Sequence, residues 1–291
     1  MTDAFWIILT GSLVAAACSL LGSFLILRKM AMVGDAISHA VLPGIVFAYL
    51  ISGSRASFPM LVGAAVVGIL TTWIIEVFQK RFKVQSDASI GVTFTMLFAI
   101  GVIMISALGG QVELDQECVL YGEIAYVPLD LWFTASGISM GPYSTWIIGT
   151  AFVIVLGFVV LGFNALKITT FDEKYAASIG ISTVAWHYAL MGMVSLTTVV
   201  SFEAVGAILV VAFFIIPPAT AYLMTHDLKK MILLSVLLGV LSSTIGYFFA
   251  LWLNSSIAGA MVTVAGVIFF LVFLITRVQQ KRRKEAVIAP E

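Results

Sequence analysis

Two residues with metal-binding chemistry stand one helical turn apart in the segment GDAISHAVLPG, residues 34–44, which is otherwise almost entirely apolar. Asp35 and His39 are four positions apart, so a helix would place both side chains on one face. Burying an ionisable side chain in a membrane costs about 2.5–3.5 kcal/mol, and such residues usually mark a pathway. A carboxylate oxygen combined with an imidazole nitrogen suits Mn²⁺, Fe²⁺ and Zn²⁺ better than Mg²⁺ or Ca²⁺.

The residues around this pair sharpen its predicted geometry. Pro43 has no N–H and clashes with the carbonyl of His39, which predicts a kink and a freed carbonyl beside the pair. Gly34 and Gly44 would let neighbouring backbones approach closely. The spacing leaves three interpretations open: a metal site, a hydrogen-bonded pair that holds two helices together, and a proton relay. Two side chains also cannot complete the coordination shell of a metal ion.

The elements that must position this pair are membrane spans. Apolar residues make up 61% of the 291 positions and charged residues 10%, a profile of polytopic membrane proteins that excludes a soluble helical core. About nine runs reach the roughly 20 residues that a crossing helix needs. They lie near residues 5–27, 31–51, 60–79, 88–108, 143–166, 183–200, 203–225, 229–253 and 256–276. Pro217 and Pro218 interrupt the seventh run, so two half-helices, a re-entrant segment and a total of eight crossings are alternatives.

The basic residues predict the orientation, because cytoplasmic loops are enriched in Lys and Arg. With the N-terminus outside, fourteen of the fifteen basic residues fall inside and only Arg55 faces out. The fourteen are Arg28, Lys29, Lys80, Arg81, Lys83, Lys167, Lys174, Lys229, Lys230, Arg277, Lys281, Arg282, Arg283 and Lys284. The predicted fold is therefore an all-α polytopic membrane bundle of eight or nine helices with a cytoplasmic C-terminus.

The remaining polar residues carry weaker signals. His187, beside Trp186 near the inner end of the sixth span, is interpreted as a packing or interfacial residue. His226, with Asp227, is interpreted as an exposed helix terminus. The sequence has no GxxxxGK[ST] phosphate loop and no HExxH or GxSxG motif, so no enzyme chemistry is indicated. Any energy source must be another subunit or an ion gradient.

Taken with its flanks, LILRKMAMVGDAISHAVLPG closely resembles the permease subunits of bacterial ABC importers for manganese, zinc and iron(II), the ABC-3 family. The resemblance covers the whole chain in length and span layout. It implies a transmembrane permease domain over residues 1–276 and a basic cytoplasmic tail over 277–291. It also implies that Asp35 and His39 are the metal pair, and that a second permease copy or a paralogue supplies the other half of the shell.

A second match is the inner loop KITTFDEKYAASIGIS, residues 167–182, whose short amphipathic stretch resembles the helix that docks on the ATPase in this family. The resemblance implies that coupling residues lie in this loop, namely Phe171, Asp172, Glu173, Ala176, Ala177 and Gly180. It implies three partners: a cytoplasmic ATP-binding subunit, an extracellular or periplasmic metal-binding protein, and the second permease.

The function predicted from these features is ATP-driven import of a divalent transition metal across a bacterial plasma membrane by alternating access. Manganese is favoured, with zinc and iron(II) as alternatives, and we expect no permanently bound cofactor. Two other classes stay open at this point. A secondary transporter driven by an ion gradient would use the same Asp–His pair without an ATPase, and a non-transporting scaffold or receptor would not need the pair for uptake.

Overall fold

The computed structural model describes residues 3–52, 57–107, 124–133 and 139–288, and nearly all of them are helical. The helices are α1 (Asp3–Leu27), α2 (Val33–Ala40), α3 (Leu42–Ser52), α4 (Ser57–Lys80), α5 (Ser86–Ala107), α6 (Tyr143–Leu161), α7 (Phe163–Phe171), α8 (Glu173–Ser178), α9 (Thr183–Val205), α10 (Ala207–Met224), α11 (Leu228–Leu253) and α12 (Ile257–Ile288). A short 3₁₀ helix (Ile124–Leu129) and an antiparallel hairpin of β1 (Leu131–Phe133) and β2 (Ser139–Pro142) precede α6. The all-α prediction is confirmed apart from this small hairpin.

Nine helical segments within those described ranges are long and apolar enough to cross a membrane. They are Asp3–Leu27, Val33–Ser52, Val62–Lys80, Ser86–Ala107, Tyr143–Leu161, Thr183–Phe202, Ala207–Met224, Leu228–Leu253 and Ile257–Gln279. Each overlaps one of the nine predicted runs, and α2 with α3 forms the second. The position of Arg55 lies outside the described residues.

Two boundaries differ from the prediction. The helix α10 runs unbroken through Pro217 and Pro218, so the alternative of two half-helices is wrong, and the chain breaks instead at Gly206, which has φ 78°. The predicted span 143–166 ends early, because α6 stops at Leu161. Gly162 follows, and a β-carbon there would lie 2.5 Å from the Trp186 ring, so the aromatic ring packs directly on the backbone at this bend.

The centre of the bundle is α1, which is buried without interruption from Val14 to Leu25 by contacts with α6, α9, α10 and α11. Small residues make this packing possible, as is usual between membrane helices. A β-carbon on Gly22 would collide with the carbonyl oxygen of Phe214 in α10. The Ser235 hydroxyl of α11 donates to the Ser19 carbonyl at 3.2 Å. The outer faces of the bundle expose large apolar side chains, as expected for lipid contact.

Polar connections gather at one end of the bundle, which we call the basic end because it holds Arg28, Lys80, Lys167, Lys174 and Lys229. Arg28 donates hydrogen bonds to α7, and Lys229 lies 5.7 Å from the centre of the Phe163 ring. The 3₁₀ helix packs near the α11–α12 turn, at the opposite end. The structure therefore brings together the loops that the charge pattern assigns to one side of the membrane.

Candidate metal-binding site

Asp35 and His39 lie on the same face of α2, as the spacing predicts. The Nε2 atom of His39 is 3.5 Å from Oδ1 of Asp35, and their side chains are 32% and 27% exposed, respectively. The hydroxyl of Ser38 turns back to donate to the Asp35 carbonyl, so it does not compete for the carboxylate. Both groups that the sequence singled out are thus adjacent, partly buried and accessible.

The eight-residue helix α2 is held on several sides. It contacts α4, α5, α9 and α10, and its other face, including Ala36 and Ile37, is fully buried. The His39 ring packs against two aromatic rings of α5, with centroid distances of 5.8 Å to Phe94 and 6.2 Å to Phe98. These contacts restrict the rotation of the imidazole, so its position relative to Asp35 is set by packing.

The helical hydrogen-bond pattern is interrupted directly after the pair. The α2 helix ends at Ala40 and α3 begins at Leu42, with Val41 between them. Pro43 lacks the N–H that would bond the His39 carbonyl. The next N–H, that of Gly44, donates to the Val41 carbonyl three residues back, at 2.9 Å. The close backbone approach expected at Gly44 is also present, against α4, whereas Gly34 faces only the Phe214 ring.

A cavity of about 490 Å³ opens beside the pair, between α2 and α10. Its lining is apolar apart from the two candidate ligands and consists of Asp35, His39, Ala207, Ile208, Val211, Ala212, Ile215 and Ile216. Within the described part of the chain, no cluster of three or more His, Cys, Asp or Glu side chains could hold a metal ion. Asp35 and His39 are therefore the two polar side chains that face this otherwise apolar space.

The six predicted coupling residues lie in and around α8, at the basic end. Asp172 caps α8, because its carboxylate accepts a hydrogen bond from the Tyr175 N–H at 2.9 Å. Ala176 is fully buried, whereas Glu173 and Ala177 are exposed. The segment is thus a short capped helix with one buried contact and an otherwise open surface.

Gly180 ends α8 in the left-handed conformation, with φ 83°. The Ile181 N–H donates to the Ala176 carbonyl at 3.0 Å and the Gly180 N–H donates to the Ala177 carbonyl at 3.2 Å. This pair of bonds is the Schellman motif, which favours glycine at this position. The glycine is therefore required by the turn rather than by a neighbouring group, since no atom lies within 4 Å of where its β-carbon would be.

Sequence reasoning missed two residues of this segment. Phe171, Tyr175 and Ile179 are 62%, 55% and 47% exposed. Tyr175 and Ile179 are four positions apart on α8 and its C-cap, so they form one exposed apolar row, whereas Phe171 ends α7 before the break at Asp172. Only Phe171 was predicted as a coupling residue. The spacing of four was the available signal for the other two.

The other two histidines differ from each other. His226 is exposed in the turn before α11, as predicted, and Asp227 caps that helix. The interpretation of His187 as a packing residue is incomplete, because its Nε2 lies 3.0 Å from Oε1 of Glu76. A carboxylate in an apolar span was the missed signal, since such residues are rarely placed without a role.

A sequence model of the ABC 3 transport family matches residues 2–276. The chain belongs to this family. It is therefore the membrane subunit of an ATP-binding-cassette transporter and not an enzyme, and the secondary-transporter alternative is excluded. The prediction of a multi-pass bacterial membrane protein is confirmed as well.

Similar proteins are known across the family. The chain is 49% identical to the manganese transport system membrane protein MntD of Bacillus subtilis (strain 168), over 94% of this chain and 92% of MntD. It is 43% identical to the zinc transport system membrane protein TroD of Treponema pallidum (strain Nichols), over 92% of this chain and 72% of TroD. The solved structure of PsaBC from Streptococcus pneumoniae in complex with Fab superposes with a TM-score of 0.76 at 32% identity, covering 94% of this chain and 91% of the other.

Proposed function

We propose that this ABC 3 permease carries a divalent transition metal, manganese first and zinc or iron(II) as alternatives, through the Asp35–His39 pair into the cytoplasm. The observation that carries the proposal is the carboxylate–imidazole pair, 3.5 Å apart, facing an otherwise apolar cavity of about 490 Å³. The similarity to MntD and TroD supports a metal of this class as the cargo. Manganese is placed first because the manganese relative shares more of the sequence.

The ligand chemistry fits a transit site rather than a storage site. One carboxylate and one imidazole bind first-row divalent ions, and Zn²⁺ would bind the same ligands more tightly than Mn²⁺. A site that releases its ion in every cycle benefits from few protein ligands and from partial hydration. The partial exposure of Asp35 and His39 leaves room for such water.

A second permease would complete the shell. Two copies around a two-fold axis would bring two carboxylates and two imidazoles to one cavity, and a paralogous partner would contribute its own pair. The exposed side of the cavity supports this arrangement, because Ile208 lines the cavity and is 58% exposed in the single chain. Covering this apolar surface with a partner would remove it from lipid and close the space around the ion.

The ATP-hydrolysing subunit would dock on α8 and its flanks at the basic end. Tyr175 and Ile179 form an exposed apolar row there, the exposed Phe171 lies just before it, and Asp172 and Gly180 fix the ends of the helix that carries the row. A short capped helix moves as a rigid body when its partner moves, whereas an irregular loop would change its own conformation instead. Phe171, Glu173 and Ala177 are assigned to this contact through their exposed side chains, and Asp172, Ala176 and Gly180 are assigned to it through the shape and seating of the helix.

The direction of transport follows from the charge distribution. The basic end faces the cytoplasm by the positive-inside rule, which also places the C-terminus there. An extracellular or periplasmic binding protein would deliver the metal to the opposite end. The membrane potential helps a dication enter by roughly 2.3 kcal/mol per charge per 100 mV, and ATP hydrolysis drives release against tight cytosolic buffering.

The proposal is tested by Mn²⁺ uptake into proteoliposomes that contain the permease with its ATPase and binding protein. We expect Asp35→Asn and His39→Ala each to abolish uptake while the ATPase still co-purifies. Asp87→Asn and His226→Ala are matched controls, because both alter exposed residues at the basic end and should transport at the wild-type rate. Wild-type uptake by both site variants would refute the assignment of the pair. Competition between Mn²⁺ and Zn²⁺ in the same assay would decide the cargo.

A further inference from the structure

A second polar cluster lies at the basic end and surrounds a cavity of about 320 Å³. Its centre is Glu76 of α4, which accepts a hydrogen bond from the Tyr188 hydroxyl at 2.6 Å and one from the Lys80 ammonium at 3.0 Å. His187 of α9 lies 3.0 Å from the same carboxylate, although its ring N–H is not directed at the oxygen. The Glu76 and His187 side chains are only 13% and 15% exposed. The carboxylate therefore ties α4 to α9.

This cluster differs from the Asp35–His39 pair despite a similar carboxylate and imidazole. The Lys80 ammonium already occupies one oxygen of Glu76, and the Arg28 guanidinium lies 3.5 Å from Nδ1 of His187. The basic side chains that line this cavity outnumber its two carboxylates, those of Glu76 and Glu173, and an excess of positive charge disfavours a divalent cation. The cluster is thus built to connect helices rather than to bind the cargo.

Arg28 joins the cluster to the segment that precedes α8. Its Nε donates to the Thr170 hydroxyl at 3.1 Å and its Nη2 to the Thr169 hydroxyl at 3.0 Å. Burial lowers the pKa of the Arg28 guanidinium from its ordinary value, and the Glu173 carboxylate opposes that shift. A half-buried arginine with three directed contacts is held in one geometry, which a lysine cannot reproduce because it lacks the planar fork.

The two helices that the cluster joins, α4 and α9, also pack against α2, which carries Asp35 and His39. Gly68 of α4, two helical turns from Glu76, packs so closely on Ser195 of α9 that any β-carbon there would collide with the serine side chain. The same β-carbon would lie 3.2 Å from Ile37 of α2, which stands between Asp35 and His39 in the sequence. A route therefore runs from Thr170 through Arg28 and His187 to Glu76, and then along the α4 helix to Gly68, which packs against the helix that carries the pair.

We propose that Arg28 is a positioning residue that transmits movement of the α8 segment to helices α4 and α9, and through them to the Asp35–His39 helix. The inference deepens the proposed function and rests on it. In this arrangement the ATPase moves α8, the two threonines carry Arg28 with them, and the α4–α9 pair shifts against α2. Loss of Arg28 separates ATP hydrolysis from metal movement without removing either site.

The test uses the complete transporter in proteoliposomes and measures Mn²⁺ transported per ATP hydrolysed. We expect Arg28→Ala and Arg28→Lys to raise the ATP consumed per Mn²⁺ by about fivefold or more, since residues along a coupling route alter coupling by that order. The double variant Thr169→Val/Thr170→Val removes the acceptors while leaving Arg28 in place, and it should behave in the same way. The single variant Thr170→Ser keeps the hydroxyl acceptor and should retain the wild-type ratio of ATP hydrolysed to Mn²⁺ transported.

Two further measurements separate this role from a structural one. The ATPase should co-purify with each variant, and the stabilisation of the purified permease by Mn²⁺ should match the wild type. Arg81→Ala removes an exposed arginine at the same end and serves as the matched control, with an unchanged ratio.

A wild-type ratio in Arg28→Ala, or in the threonine double variant if Arg28→Ala does not fold, would overturn the proposal. Loss of the ATPase from Arg28→Ala would also overturn it, because Arg28 would then belong to the docking surface. Failure of the wild-type complex to transport Mn²⁺, Zn²⁺ or Fe²⁺ would instead refute the proposed function and this inference with it.

Discussion

Gly44 of α3 and Gly63 of α4 lie at a helix crossing where the two backbones touch. A β-carbon on Gly44 would lie 2.5 Å from the Gly63 carbonyl oxygen and 2.8 Å from the side chain of Val67. On the other side of α3, a β-carbon on Gly101 of α5 would lie 2.9 Å from the Pro43 ring. The segment that follows the Asp35–His39 pair is therefore clamped between α4 and α5, so the position of α3 relative to α2 is set by packing.

Gly44→Ala should destabilise the permease because the added methyl group meets backbone atoms that cannot move aside. Overpacking of this kind costs about 1–3 kcal/mol. Thermal unfolding in detergent would show it as a lower midpoint than the wild type. Gly91→Ala is the matched control: nothing lies within 4 Å of its β-carbon position, and alanine is the better helix former. Equal midpoints for the two variants would contradict the tight crossing.

The membrane spans and the proximity of Asp35 and His39 were predictable from local sequence patterns, whereas the helix breaks were not. Pro217 and Pro218 carry the stronger breaking signal, yet α10 passes through both. They remove only two N–H donors from a helix whose neighbours supply the packing, and Gly22 of α1 makes room beside them. Gly206 carries a weaker signal but adopts φ 78° and separates α9 from α10. Tertiary packing decides which break occurs.

The polar cluster at the basic end was not predictable by spacing. Glu76 and His187 are 111 positions apart, so only the fold brings them together. Asp35 and His39 were found because helix periodicity alone places them on one face. Arg28 contributed to the orientation through its charge, but its hydrogen bonds to Thr169 and Thr170 depend on the packing of α7 against α1. Helix periodicity identifies residue pairs that interact within one helix, but it does not identify pairs that interact between helices.

Gly180→Ala should weaken binding of the ATPase subunit, because the left-handed conformation costs a residue with a β-carbon about 1–2 kcal/mol. A loss of about 1 kcal/mol corresponds to roughly fivefold in affinity. Titration of the ATPase onto detergent-solubilised permease would measure it. Gly180→Asn should fall between alanine and the wild type, since asparagine tolerates this conformation. If the alanine variant binds the ATPase as tightly as the wild type, ATPase binding does not depend on the Schellman turn.

Tyr175→Ala should lower ATPase affinity without changing the stability of the permease itself. The side chain is 55% exposed and forms the apolar row of α8 with Ile179, so its removal deletes contact area with the partner but little internal packing. Phe82→Ala is the matched control, because Phe82 is another exposed aromatic residue at the basic end but lies outside the row. Equal losses in both variants would show that the row is not a specific docking surface.

Removing either member of the Asp35–His39 pair should abolish stabilisation of the purified permease by Mn²⁺. A ligand at one hundred times its Kd stabilises a folded protein by about 2.7 kcal/mol, which thermal unfolding detects readily. If both groups hold one ion, Asp35→Asn, His39→Ala and the double variant should lose this shift equally, because the second substitution has nothing left to remove.

Thermal unfolding without added metal distinguishes a metal-binding role of Asp35 and His39 from a role in holding helices together. A partly exposed ion pair contributes about 0–1 kcal/mol, so the three variants should unfold close to the wild-type temperature when no metal is added. A large metal-free loss with an intact Mn²⁺ shift would show instead that the pair holds helices together. His226→Ala, which alters an exposed histidine in the turn before α11, should keep both the metal-free midpoint and the Mn²⁺ shift.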